Sequence, residues 1–187
     1  MKHIVPALRM LIFMTVLTGV VYPLLVTVIS QGLFRGQANG SMAKSGEAVL
    51  GSLLVAQNFS GPKYFWPRPS GGANFNPLPS GGTNLGPISA DLKKSFEERR
   101  ANLKAAHPDQ GEPPQDLLFS SASGLDPEIS PAAAKYQVAR VAKARGMNSI
   151  EVDHLVEKFT QGRQFGIFGE PRVNVLALNM ALDAHER

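Results

Sequence analysis

"MLIFMTVLTGVVYPLLVTVI", Met10–Ile29, decides how the rest of this 187-residue chain is read. No residue from Met10 to Phe34 is charged. Wound as an α-helix, the stretch rises roughly 30 Å, which matches the hydrocarbon thickness of a bilayer. A cleaved signal peptide is the rival, because "MKHIVPALR" (Met1–Arg9) is a basic leader. The apolar run nevertheless exceeds a signal h-region of about 7–15 residues, and no A-x-A-like cleavage site follows it. The stretch therefore reads as a retained anchor, and the remainder of the chain, from about Gln31, is left in water.

The predicted organisation is a cytoplasmic N-terminus over residues 1–9, a transmembrane helix over 10–30 and a soluble extracytoplasmic (periplasmic) domain over 31–187. Orientation is nearly balanced on flanking charge, with Lys2 and Arg9 before the span and Arg35 and Lys44 soon after it. The chain's own amino group tips the count, and long domains translocate largely regardless of their charge. Removing Lys2 and Arg9 from the 19 basic residues leaves 17 against 15 acidic ones, too mild a bias for a nucleic-acid-binding surface. With no cysteine present, the chain neither requires nor excludes an oxidising compartment.

Inside the span, Thr15, Gly19, Pro23 and Thr27 recur every four residues and form a slowly drifting stripe on a helix. Small residues let a second helix approach closely in lipid, so the stripe is a candidate packing seam; an ordinary anchor carrying such residues by chance is the alternative. Pro23 also removes the amide that would serve the Gly19 carbonyl, which predicts a local bend.

Beyond the span, "AVLGSLLVAQNF" (Ala48–Phe59) predicts a strand. Residues 61–87 are dense in Pro, Gly, Ser and Asn and carry a local duplication, "PSGGANF" (Pro69–Phe75) and "PSGGTNL" (Pro79–Leu85). Repeated Ser-Gly-Gly suits tight turns, and amide nests for an anion are the competing use. This segment predicts a surface loop pinned by Phe65, Trp66, Phe75 and Leu85, with a partner as its possible contact.

"SADLKKSFEERRANLKAAHP" (Ser89–Pro108) predicts an amphipathic helix capped by Ser89, and "DLLFS" (Asp116–Ser120) a short strand. "ISPAAAKYQVARVAKARG" (Ile129–Gly146) carries every mark of a helix: Ser130 as N-cap, Pro131 at the first position, an Ala-rich body, Lys143 and Arg145 in the last turn, and Gly146 beyond it. Asn148 and Asn174 predict the starts of two more helices. The fold class is α+β: one N-terminal transmembrane helix followed by a small extracytoplasmic α+β domain.

The loop "SSASG" before Pro131 resembles an anion site in kind, because free amides and a positive dipole end face it, yet no G-x-x-x-x-G-K-[ST] occurs anywhere. His3, His107, His154 and His185 are scattered without metal-ligand spacing. Ser120, Ser121, Ser123, Asp126 and His154 would have to converge for hydrolysis, and no G-x-S-x-G marks a nucleophile. The chain reads as a non-catalytic accessory protein, with an anchored binding module and an anchored hydrolase as the other classes.

Six strings carry a resemblance: "GVVYPLL" (Gly19–Leu25), "RGQANGS" (Arg35–Ser41), "AQNFSGPKYFWPRPS" (Ala56–Ser70), "SGGTNLGP" (Ser80–Pro87), "SGLDPEISPAAAKYQVARVAKARG" (Ser123–Gly146) and "FGEPRVNVLALNMALD" (Phe168–Asp183). Together and in this order they resemble the C subunits of bacterial Kdp potassium-transporting ATPases, the KdpC family. The resemblance implies a single-pass inner-membrane subunit in a complex with a channel-like potassium-translocating subunit, a P-type subunit that hydrolyses ATP and a small membrane peptide. The chain lacks the D-K-T-G-T phosphorylation motif. The resemblance therefore implies no catalytic residue and no cofactor of its own, with ATP bound elsewhere in the complex. It also implies a catalytic chaperone that raises the hydrolytic subunit's affinity for ATP, with Gln137, Ser121, Ser123 and Gly124 as the suggested nucleotide contacts. An extracytoplasmic domain would instead act on that affinity through the membrane subunits.

Overall fold

The computed structural model describes residues 3–69, 75–76, 78 and 81–185. Most of the first Ser-Gly-Gly repeat, and Pro79 and Ser80 of the second, lie outside the described residues. The chain divides into two compact units, Met1–Met42 and Ala43–Arg187.

The first unit is one apolar rod, Ile4–Leu33, with a mean hydropathy of 2.3 over its most apolar window. Its 30 residues rise about 45 Å, more than enough to cross a bilayer's hydrocarbon. The rod is built of α1 (Ile4–Val16), a π-helical turn (Leu17–Val21) and α2 (Tyr22–Leu33), with a short α3 (Arg35–Ala38) after it. The π-turn sits where Pro23 requires it. Pro23 has no amide for the Gly19 carbonyl and its ring would crowd that carbonyl, so the hydrogen-bond ladder slips and the Tyr22 amide reaches back to Leu17 O. The predicted bend is thus a register slip with a physical cause. The Thr27 hydroxyl donates to Pro23 O at 2.8 Å, supplying a donor to α2 just after the slip.

The second unit begins with a ribbon of β1 (Met42–Ser45) and β2 (Ala48–Ser52), joined through Gly46 in the left-handed region. The strand predicted over Ala48–Phe59 stops at Ser52. Gly51 takes φ +153°, a conformation that L side chains rarely adopt, so the strand ends at a position that favours glycine.

After the loop comes α4 (Ala90–Ala106), started by Ser89, whose Oγ accepts from the Leu92 amide. A single helical turn, α5 (Gln115–Leu118), replaces the strand predicted there; Leu117 and Leu118 are adjacent and both buried, which the two-sided alternation of a half-buried strand does not allow. Three very short strands, β3 (Glu128–Ile129), β4 (Thr160–Gln161) and β5 (Arg172–Asn174), form an antiparallel sheet with β5 in the centre.

Helices α6 (Pro131–Arg145), α7 (Ser149–Phe159) and α8 (Val175–His185) pack in sequence, and all three touch β5. Their caps are the predicted ones. Ser130 Oγ accepts from Ala133 N, Asn148 Oδ1 from Ile150 N and Asn174 Oδ1 from Ala177 N, all at 2.9–3.0 Å. Gly146 closes α6 at φ +65°. Val141, Val152, Val156, Val173, Leu178 and Leu182 are fully buried between these elements. Each removes apolar surface worth roughly 1.5–3 kcal/mol from water. Phe65, predicted to pin its loop to the core, is as deeply buried as any of them.

Candidate functional site

The segment Gly61–Arg68, "GPKYFWPR", is pinned to the core through Phe65 and Trp66, as predicted. Pro62 and Pro67 deprive it of two amide donors, so a regular strand would be poorly paired here. It nevertheless carries Phe65 into the core, where buried backbone polar groups need partners. Side chains from α6 and α8 provide them.

Asn179, only 1% exposed, acts as a strand would. Its Oδ1 accepts from Phe65 N at 2.8 Å and its Nδ2 donates to Phe65 O at 3.0 Å. Gln137, fully buried, repeats the device one residue later: Trp66 N donates to its Oε1 at 2.7 Å, and its Nε2 donates to Trp66 O at 3.1 Å. Two side-chain amides thus replace a neighbouring strand for two successive residues.

Arginines serve two further carbonyls. Arg145, whose side chain is buried, donates from Nε to Lys63 O at 2.7 Å and from Nη2 to Asp183 at 2.8 Å. Arg140 donates from Nη1 to Pro62 O, from Nη2 to Gln137 Oε1 at 2.7 Å, and from Nε to His107 Nε2 at 2.9 Å. Its guanidinium lies 4.0 Å from the centroid of the Trp66 ring, a cation–π contact. Burial pulls Arg140 down to about 10, so it remains charged at neutral pH.

Because His107 Nε2 accepts from Arg140, the ring's proton is assigned to Nδ1, which donates to Leu103 O at 2.8 Å. Burial, more than the nearby Arg140 charge, holds His107 below its usual value, against the opposing pull of the Leu103 carbonyl. The Tyr136 ring stands 4.7 Å from His107, and its buried hydroxyl finds no partner among the described residues. A cleft of about 410 Å³ opens beside this cluster, with Pro62, His107, Asp109, Arg140 and Lys143 in its wall.

Ser121, Ser123 and Gly124 form a separate, local arrangement. The two hydroxyls lie 3.3 Å apart, Gly124 N donates to Ser121 O at 3.1 Å, and Gly124 takes φ +69°. Ser121 and Ser123 line a cleft of about 690 Å³ with Leu54, Arg68 and Asp126. Gln137 lines neither cleft, and a ligand reaching its amide would have to displace both Trp66 and Arg140. Asp126 is paired with Arg68 at 2.7 Å, whereas His154 stands exposed beside Glu157, so Asp126 and His154 each have a different partner from the one hydrolysis would require. Among the described residues no three His, Cys, Asp or Glu gather to hold a metal.

In the first unit, Thr15 lies in α1, Gly19 in the π-turn, and Pro23 and Thr27 in α2. The wider π-turn advances each residue by a smaller angle than an α-turn does, which offsets part of the drift of a four-residue repeat. A Cβ at Gly19 would meet nothing within 4 Å.

Sequence reading missed Asn179, Arg140, Arg145 and His107. One signal for the amide clamp was present. Gln137 is flanked at i−4, i−3 and i+4 by Ala133, Ala134 and Val141, which places it on the helix face that the core must cover.

A family model described as "KdpC: K+-transporting ATPase, c chain" matches residues 4–184. The potassium-transporting ATPase KdpC subunit of Burkholderia mallei (strain SAVP1) is 52% identical over 192 residues, covering 96% of this chain and 94% of its own. The KdpC subunit of Methylococcus capsulatus (strain ATCC 33009 / NCIMB 11132 / Bath) is 51% identical over 186 residues, covering 98% of each chain.

Proposed function

Because the chain belongs to the KdpC family, the c chain of K+-transporting ATPases, we propose that it serves as the accessory subunit of an ATP-driven potassium uptake complex. Ile4–Leu33 holds it in the inner membrane, and residues 43–185 stand on the periplasmic side. Its partners are a channel-like potassium-translocating subunit, the P-type subunit that hydrolyses ATP and a small membrane peptide. It contributes no catalytic group.

Its action on ATP is indirect. Gln137, the residue that the resemblance implies for nucleotide, has its amide committed to Trp66 and Arg140 in the core, which favours a structural duty. Any rise in the hydrolytic subunit's ATP affinity then travels through membrane contacts as a coupling free energy, typically about 1–3 kcal/mol.

The sidedness is tested on a chain that has no native cysteine. Ile88→Cys places a thiol at a fully exposed position. A membrane-impermeant maleimide should label it in intact spheroplasts. Labelling that appears only after lysis would overturn the topology and reopen direct contact with ATP.

A further inference from the structure

Between β4 and β5 the chain leaves the domain surface, and Gln161 to Glu170 are all exposed. This excursion presents Phe165 at 83%, Ile167 at 71% and Phe168 at 64% exposure. Single exposed apolar residues are ordinary; three within four positions at the end of a projection are not.

The projection is pre-shaped. Gln164 and Phe168 form an antiparallel bridge, with Gln164 N donating to Phe168 O at 2.8 Å and Phe168 N donating to Gln164 O at 2.9 Å. At its neck, Arg163 Nη2 lies 2.8 and 2.7 Å from the two Glu170 carboxylate oxygens. Gly166 and Gly169 take φ of +74° and +76°, which glycine does freely, but Phe165 takes φ +54°. A left-handed phenylalanine is strained by roughly 1–2 kcal/mol, and here no burial of its ring offsets that strain.

We propose that this hairpin tip is a docking anchor that inserts Phe165, Ile167 and Phe168 into an apolar socket on the extracytoplasmic surface of a larger subunit of the transport complex. The inference rests on the accessory-subunit reading above. Two observations select a protein socket. The neck's one basic and one acidic residue pair with each other, so the finger has no net charge to draw it to anionic lipid headgroups, which attract basic segments. Area argues against two copies meeting tip to tip. Large apolar side chains bury about 150–250 Å² each, so the tip offers on the order of 400 Å², roughly half of one partner's share in a stable interface. Two tips meeting would fall short, whereas a larger subunit can cover the tip together with the surface beside it. A chain already tethered in the same membrane also needs only a modest contact, because its effective concentration is high.

The test uses the full-length chain co-expressed with the other subunits of its complex. Phe165→Gly removes the anchor ring and relieves the left-handed strain. It should reduce co-purification with the complex about tenfold or more, as loss of a hot-spot aromatic does, while leaving the unfolding midpoint unchanged or raised. Phe168→Ser should weaken association in the same way without lowering that midpoint. Replacing Phe165 by photoreactive benzoylphenylalanine should give an adduct that mass spectrometry identifies as one of the complex's subunits. Undiminished co-purification of both variants, or adducts only with lipid or with a second copy of this chain, would overturn the proposal. If the wild-type chain itself fails to co-purify with the complex, the accessory-subunit reading falls first, and the docking proposal with it.

Discussion

Gln137→Ala is the sharpest probe of how this domain is held together. The substitution removes the acceptor for Trp66 N and Arg140 Nη2 and the donor to Trp66 O. A buried polar group left without a partner costs about 1–3 kcal/mol. Trp66 and Arg140 are only half-buried, so water can replace part of what is lost. The net destabilisation should be about 2–4 kcal/mol, a large share of the 5–15 kcal/mol typical of a folded domain. For a domain of this size that lowers the melting midpoint by roughly 5–15 °C. The readout is built in, because Trp66 is the chain's one tryptophan. Guanidinium unfolding of the full-length chain in detergent, followed by tryptophan emission, should show a lower midpoint. The native-state spectrum should also shift to the red as the segment loosens and the ring loses its packed Arg140. An unshifted spectrum with an unchanged midpoint would show that the Gln137 amide does not hold Trp66, and the case for a structural Gln137 would fail with it.

Asn179→Ala should cost a similar 2–4 kcal/mol by the same unfolding assay, since both of its bonds to Phe65 lie in the core. His107 makes stability depend on pH. Its pKa is depressed on folding, so between that depressed value and 6.5 the unfolded chain holds more protons than the folded one. Its contribution is therefore complete above about 6.5 and lost as pH falls through the lower value. Protonation would place a second charge against Arg140 and abolish the acceptor at Nε2. Unfolding midpoints measured from pH 7.5 to 5 should fall in the wild type, and His107→Gln should flatten that part of the profile. Gly19→Leu adds a side chain where the chain's own atoms leave open space, so helix content by circular dichroism should hold. If the Thr15–Thr27 stripe is a packing seam, the same substitution should weaken detergent-stable co-purification with the membrane subunits; unchanged association would remove the seam.

How much of this could be read beforehand depends on the range of the interactions. Helix starts were legible at Ser89, Ser130, Asn148 and Asn174 because a cap is a bond between residues two or three apart. The span was legible because a run without charge is a property of consecutive residues. The three-stranded sheet was not, since strands of two or three residues are too short to show alternation. The amide clamp joins residues 71 and 114 apart in sequence, and no local pattern announces such pairs.

The same division explains why the nucleotide expectation and the clamp fell on one residue. The resemblance suggests Gln137 for nucleotide, and the structure gives its buried amide a sufficient structural duty. It fastens a proline-broken segment that cannot pair as a strand. Proline at positions 62 and 67 removes backbone donors, and Gln137, Asn179, Arg140 and Arg145 take over the pairing from the side. Restoring an amide at either proline would not replace them, because Phe65 and Trp66, not the prolines, contact the two buried amides. It follows that Pro62→Ala should be tolerated far better than Gln137→Ala, with a midpoint change well under half as large in the same unfolding assay. The opposite ranking would mean that the prolines' rigidity, and not the side-chain amides, holds the segment in the core.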